Sequence, residues 1–267
     1  MTSLSEYVSQ KPIKMLCVGD SGLGKTGALA SLAKAGFNLK ILDYDNGLGI
    51  LAALLKNDPA ALARVEYHTL QDTFIGVGNI IKPQGQPKAF MSGLAQLNKW
   101  KDLGRNDIIV LDTLSHMSNA ALVMVLSMNN RAGLHPWQSD WGQAMDMIEG
   151  VLKILYSDSI KCHVIVNAHI TYVGGELDDT TKQIVGAKPY PNTLGQKLPP
   201  KVGQYFNTML HFDNSGFGAN AKKVIRTIPV SQLGVKSEIL GLPKELPLES
   251  GLADFFKAAG QLPQSGV

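Results

Sequence analysis

The run Gly19-Asp20-Ser21-Gly22-Leu23-Gly24-Lys25-Thr26 directly follows the apolar run Met15-Leu16-Cys17-Val18 and opens a stretch of small, helix-compatible residues. This is G-x-x-x-x-G-K-[ST] in the context it requires: strand, loop, helix. Glycines let successive backbone N–H groups point into one concavity, which becomes an anion nest at a helix N-terminus. Lys25 is placed to reach the β- and γ-phosphates, and the Thr26 hydroxyl to ligate Mg²⁺. Gly19, Asp20, Ser21, Gly22, Leu23, Gly24, Lys25, Thr26 and Gly27 are the expected contacts of a bound nucleoside triphosphate.

Strand-like and helix-like runs alternate after this loop. Lys40-Ile41-Leu42-Asp43, Asp107 to Leu111 and Cys162 to Ala168 read as buried strands. Helices are expected over Gly24 to Ala35, around Leu48 to Leu55, and over Phe90 to Lys101, Ser115 to Met128 and Trp141 to Tyr156. Residues 72–88 read as a loop or excursion, and the Pro- and Gly-rich stretch from Gly174 to about Gly203 as a loop. Phe206 to Phe212 and Lys223 to Ile228 read as strands of an antiparallel edge. The pattern predicts a three-layer α/β fold with a mainly parallel central sheet and an antiparallel C-terminal edge. Residues 1–240 are expected to form one core with a short N-terminal arm, and residues 241–267 a tail with a short helix.

Composition excludes several classes. Hydrophobic residues make up 45% of the 267, enough for a sizeable core. No apolar run reaches the length of a membrane span, and the start lacks the basic and apolar regions of a signal peptide. Cys17 and Cys162 each sit inside an apolar run and read as buried hydrophobes of a reducing compartment. A cytoplasmic protein without a membrane partner is expected. Between residues 181 and 240 stand eight cations, Lys182, Lys188, Lys197, Lys201, Lys222, Lys223, Arg226 and Lys236, against Asp213 and Glu238. That excess marks either a polyanion-facing surface or a solvated basic face.

Two further strand ends carry chemistry. Ile108-Ile109-Val110-Leu111 closes on Asp112, which a buried strand delivers beside the phosphate loop, where it can hold Mg²⁺ through water. The next residue is Thr113, not a glutamate that would polarise water, so a base must come from elsewhere if the chain hydrolyses ATP well. Lys40 to Asp45 offers one, because it ends in the two carboxylates Asp43 and Asp45. Both project the same way if the strand geometry persists; alternatively they cap the turn before Gly47.

Here the sequence resembles the RecA-like ATPase core, in which the strand after the phosphate-loop helix ends in Asp-x-Glu or Asp-x-Asp. The resemblance implies Asp45 as the general base. It also implies a polar γ-phosphate sensor at the end of Val164-Ile165-Val166-Asn167-Ala168-His169. That residue is usually Gln; here His169 takes the position, and a hydrogen-bonded histidine at a sheet edge is the plain alternative. More narrowly, residues 12–240 resemble compact phage ATPases that keep only this core, several of which act in single-strand annealing or recombination. For a phage-encoded chain the location would be the host cytoplasm.

In that family the loop after the sensor strand contacts single-stranded DNA. The matching stretch, Lys188 to Lys201, carries Lys188, Lys197 and Lys201 for phosphates and Tyr190 for stacking, a minimal kit for sequence-tolerant binding. A structural excursion or subunit contact would use the same residues. The resemblance further implies ATP and Mg²⁺ as cofactors, a homo-oligomer, and a cation supplied by the neighbouring subunit, for which Arg226 and Lys236 are the candidates. A single-strand binding protein is a further partner it suggests. Trp137 and Trp141, near a helix start, suit core or subunit contact better than base stacking. Two other readings of the phosphate loop stay open: a nucleotide kinase, and an assembly or helicase-loading protein with little turnover.

Overall fold

The computed structural model describes residues 11–100, 102–177, 184–216, 218, 221–229 and 232–263. The expected N-terminal arm and Lys182 lie outside them. In chain order the first half runs β1 (Lys14–Val18), α1 (Lys25–Lys34), β2 (Asn38–Asp43), α2 (Gly49–Leu55), α3 (Pro59–Leu62) and β3 (Val65–Thr69). It continues with β4 (Phe74–Val77), β5 (Ile80–Pro83), α4 (Ala89–Lys99), β6 (Asp107–Asp112), α5 (Leu114–Met128) and α6 (Gln138–Tyr156). Then come β7 (His163–Ala168), β8 (Ile170–Val173), β9 (Glu176–Leu177), β10 (Ile184–Val185), β11 (Lys188–Pro191) and α7 (Pro199–Val202). The last elements are β12 (Thr208–Ser215), β13 (Lys222–Arg226), β14 (Glu245–Pro247) and α8 (Gly251–Ala258).

Eight strands form one sheet in the order β14-β13-β12-β1-β7-β6-β2-β3. From β12 to β3 every pairing is parallel; β13 and β14 close the edge antiparallel. The antiparallel edge therefore begins one strand later than the sequence suggests, because β12 runs alongside β1 in the same direction. The β1 residues alternate between two cores, as a strand covered on both faces must. Leu16 and Val18 join α4, α5 and α6 on one side; Met15 and Cys17 join α1, α2 and α8 on the other. Both cysteines are free and buried. Among the described residues no helix is long and apolar enough to cross a membrane.

Three segments carry more regular structure than expected. Residues 72–88 contain the hairpin β4–β5, turned at Gly78 with φ near 60°. Second, the Pro/Gly-rich stretch after β7 is an antiparallel ribbon in which β8 pairs with β11, and β9 with β10. Pro189 and Pro191 belong to a two-stranded edge, where a missing N–H costs no interior ladder bond, and Pro199 and Pro200 open α7. Third, the C-terminal segment holds more than the expected short helix. β14 is a strand of the main sheet, and α8 buries Leu252, Phe255 and Phe256 completely. Trp141 packs partly buried against the larger core, while Trp137 lies exposed under the Arg131 guanidinium.

Candidate functional site

The sheet order decides which residues meet. β2, β6 and β7 are neighbours, and Asp43, Asp112 and Asn167 share one register row at their carboxyl ends. Cys17 of β1 continues the row beside Asn167. The loops leaving these strands all open on the same crevice, where ligands bind in sheets of this kind.

The phosphate loop occupies that crevice. Gly22 and Gly24 adopt φ of 80° and 92°, a region where a Cβ is disfavoured. Gly24 is the N-cap of α1 and offers no side-chain cap, so the first N–H groups of the helix stay open to an anion. A pocket of about 280 Å³ lies over them, with Lys25, Thr26, Asp45, Thr113, His169 and Lys223 in its wall.

Lys25 is buried, at 6% exposure. Its Nζ donates to the carbonyls of Gly19 (2.7 Å) and Asp20 (2.9 Å). Burial lowers its pKa, and the nearby Asp112 carboxylate partly offsets this. Asp112 is wholly buried. Thr26 Oγ1 donates to its Oδ2 at 2.7 Å, and Asn167 Nδ2 to its Oδ1 at 3.1 Å. Burial nevertheless raises its pKa, with those two hydrogen bonds opposing. A buried carboxylate with a hydroxyl at its side and no cation of the described residues bonded to it fits a hard dication held by oxygen donors. Thr26 and Asp112 are the residues that would hold Mg²⁺, which when bound neutralises phosphate charge.

The two carboxylates after β2 separate. Asp43 is buried and its Oδ1 accepts from the Gly47 N–H at 3.4 Å, closing the turn. The N–H groups of Tyr44 and Asp45 both donate to the Asp112 carbonyl, at 2.6 and 3.2 Å. That clamp turns Asp45 alone into the pocket, so the shared projection expected of the pair ends with the strand. Asp45 Oδ1 lies 3.3 Å from His116 Nδ1, which is 3.0 Å from Thr113 Oγ1.

His169 follows β7 and lines the pocket. Burial, and then the Lys25 cation, lower its pKa. Its backbone N–H donates to Ser115 Oγ (3.1 Å), whose hydroxyl donates to the Asn192 carbonyl (3.1 Å). The Asn192 N–H returns to the His169 carbonyl at 2.8 Å. Pocket wall, start of α5 and base of the ribbon are thus one hydrogen-bonded unit.

The remaining expected residues spread out. Lys188 is exposed and Tyr190 half-buried on β11, where Tyr190 faces Thr171 across the ribbon. Lys197 is exposed in the following turn and Lys201 exposed on α7, so the four do not share a single loop. Arg226 does not fit the part of a cation offered to a neighbour. Its Nε donates to Asp213 Oδ2 at 2.7 Å, its Nη1 to Glu245 and its Nη2 to the Asn214 carbonyl. Lys236 pairs with Met209 through its backbone, and its side chain is exposed.

Reading the sequence alone missed His116, Ser115 and Lys223. Lys223 Nζ donates to the Gly22 carbonyl at 2.7 Å, which puts one member of the basic stretch on the phosphate loop itself. For His116 and Ser115 a signal existed: a helix starting right after Asp112 must lay its first turn over the same crevice.

A family model described as an AAA domain matches residues 11–231. Similar solved structures include the flagellar accessory protein FlaH of Methanocaldococcus jannaschii, at 10% identity and TM-score 0.40, over 80% of this chain and 76% of that one. A KaiC-like protein of Pyrococcus horikoshii is similar at 9% identity and TM-score 0.43, over 80% of this chain and 78% of that one. Comparison with curated proteins gave no match. With the family model covering most of its length, and the phosphate loop and the Asp112 strand end inside it, the chain belongs to the AAA domain family as a P-loop ATPase.

Proposed function

We propose that this protein hydrolyses ATP on single-stranded DNA, in recombination or strand annealing of the phage type, and works as a homo-oligomer. In the hydrolytic step Asp45 takes a proton from water as the water oxygen bonds to the γ-phosphorus. The bond from that phosphorus to the β–γ bridging oxygen breaks, and ADP leaves. His116 holds the Asp45 carboxylate in place. Lys25 and the open N–H groups of α1 bind the phosphates, Thr26 and Asp112 hold Mg²⁺, and Lys223 steadies the loop from the side. The exposed Lys236 is the cation left to reach a neighbouring site.

One observation carries the link to DNA: the His169–Ser115–Asn192 hydrogen bonds tie the pocket wall to the ribbon that leads to Lys188 and Tyr190. A change at the γ-phosphate and a change at the ribbon bias the same unit, which is what coupling between two sites requires. A nucleotide kinase is disfavoured, since none of Arg64, Arg105, Arg131 and Arg226 lines the pocket.

The test is ATP turnover with and without single-stranded DNA, alongside gel-shift binding. Asp45→Asn is expected to bind ATP and turn over about a hundredfold more slowly or worse. Ser115→Ala is expected to bind both ligands while DNA no longer alters turnover. A wild-type protein that never binds single strands at low salt with ATP present ends the DNA reading and leaves ATP-dependent assembly in its place.

A further inference from the structure

Beyond the nucleotide site, the same crevice gathers a second donor set. Asp45, His116 and His169 each present one ligand atom, and these atoms lie within 4.8 Å of one another. They come from three adjacent strand ends: Asp45 after β2, His116 on the first turn after β6, His169 after β7. The register row of Asp43, Asp112 and Asn167 brings the three strand ends side by side, and the three donors follow within four residues of those ends.

The chemistry of the set is not that of the Mg²⁺ position. Mg²⁺ takes oxygen donors, and Thr26 and Asp112 supply them. Two imidazoles with one carboxylate suit a borderline transition dication, and three protein ligands with one open position is the pattern of non-structural zinc sites. In a tetrahedron with metal–ligand bonds of about 2.0–2.1 Å, ligand atoms stand roughly 3.3–3.4 Å apart. Asp45 Oδ1 and His116 Nδ1 are already 3.3 Å apart. His169 closes the triangle with a small inward movement, its ring centroid lying 5.8 Å from that of His116. A separate observation points the same way: His169 Nδ1 is buried and has no hydrogen-bond partner among the described residues. A buried ring nitrogen without a partner is costly unless something occupies it.

We propose that Asp45, His116 and His169 bind one transition-metal dication of the Zn²⁺ class in the nucleotide-free pocket, with the remaining position open to water. The binding does not depend on DNA or on hydrolysis. It is measured without nucleotide, so failure of the ATPase reading leaves it standing, and its own failure leaves that reading standing.

The experiment titrates the nucleotide-free protein with Co²⁺ and follows visible absorption, then adds Zn²⁺ as competitor. A single saturable Co²⁺ equivalent displaced by Zn²⁺ is expected. His116→Gln and His169→Gln keep side-chain volume, and each should weaken Co²⁺ binding by at least about tenfold to a hundredfold, the loss caused by disturbing even an outer partner of a metal ligand. Far-ultraviolet circular dichroism verifies that both variants fold. Lys25→Ala, which disables the phosphate loop, should still bind Co²⁺. Absence of saturable Co²⁺ binding overturns the proposal, as does unchanged affinity in the folded His116→Gln/His169→Gln double variant.

Discussion

At the scale of single residues the pocket is organised around a buried carboxylate. Asp112 spends both oxygens on neighbours, Thr26 and Asn167, while its backbone carbonyl aims Asp45. Lys25 belongs to the same economy. The sequence suggests a side chain that is not packed and can be removed without harm to the core. In the structure it is buried and bonds two loop carbonyls. Lys25→Ala therefore does two things. It removes the cation that meets the phosphates, and it leaves the Gly19 and Asp20 carbonyls without their donor, at up to about 1–3 kcal/mol. Thermal melts separate the effects. Wild type should gain about 2.7 kcal/mol of stability from ATP and Mg²⁺ at roughly 100 times Kd. The variant should melt somewhat lower without ligand and gain nothing with it. An ATP-induced gain equal to that of wild type would sink the assignment of the phosphate loop.

At the scale of elements, the segment after β7 matters most. Its ribbon presents Lys188, the turn beyond it Lys197, and α7 Lys201, all exposed. If these line a path for single-stranded DNA, replacing Lys197 and Lys201 by Ala should flatten the dependence of log affinity on log salt by about 0.7 per lost contact. Tyr190 is half-buried in the ribbon, so Tyr190→Ala should fall toward the lower end of the roughly 1–3 kcal/mol of a stacked base. An unaltered salt slope in the double variant would move the DNA path elsewhere. This segment also marks where the sequence stops being legible. The strands β1, β2, β6 and β7 announce themselves because burial on both faces demands continuous apolar runs. Candidate residues at three of their ends can be picked out too: the Gly-rich loop is specific by itself, Asp112 gains weight only beside that loop, and Asp45 follows from the resemblance to the RecA-like core. The ribbon hides because Pro189 and Pro191 look like loop residues, and only their pairing with Tyr172 and Ile170 makes them strand. His116 hides for another reason: its role depends on which strands are neighbours, and strand order is a tertiary fact.

At the scale of the whole molecule, the C-terminal helix seals the sheet on the face opposite α5 and α6, and a histidine lies under the seal. His163 opens β7, is 1% exposed, and meets Phe37 and Phe256 edge-on at centroid distances of 5.8 and 5.0 Å. Its Nδ1 accepts the Ile13 N–H at 3.1 Å, so the ring is held neutral with its proton on Nε2. Burial first, then the Arg105 and Lys14 cations, push its pKa from 6.5 down to about 3. The sign follows from linkage. Above pH 6.5 the ring is neutral in folded and unfolded chains, and its contribution is fully present. Between about 6.5 and about 3 the unfolded chain takes up a proton that the folded one refuses, so stability falls as the pH falls, by up to about 1.4 kcal/mol per unit. His169 and His211 are also depressed by burial and act with the same sign, so wild type alone cannot apportion the slope. His163→Gln keeps an acceptor for Ile13 and cannot titrate. It should be less stable than wild type at pH 7 through lost ring packing, yet lose stability more slowly between pH 6 and pH 4. The quantity to measure is the difference between the two slopes in denaturant unfolding. Parallel slopes would mean that His163 is not the group whose refusal of a proton ties the C-terminal seal to acid stability.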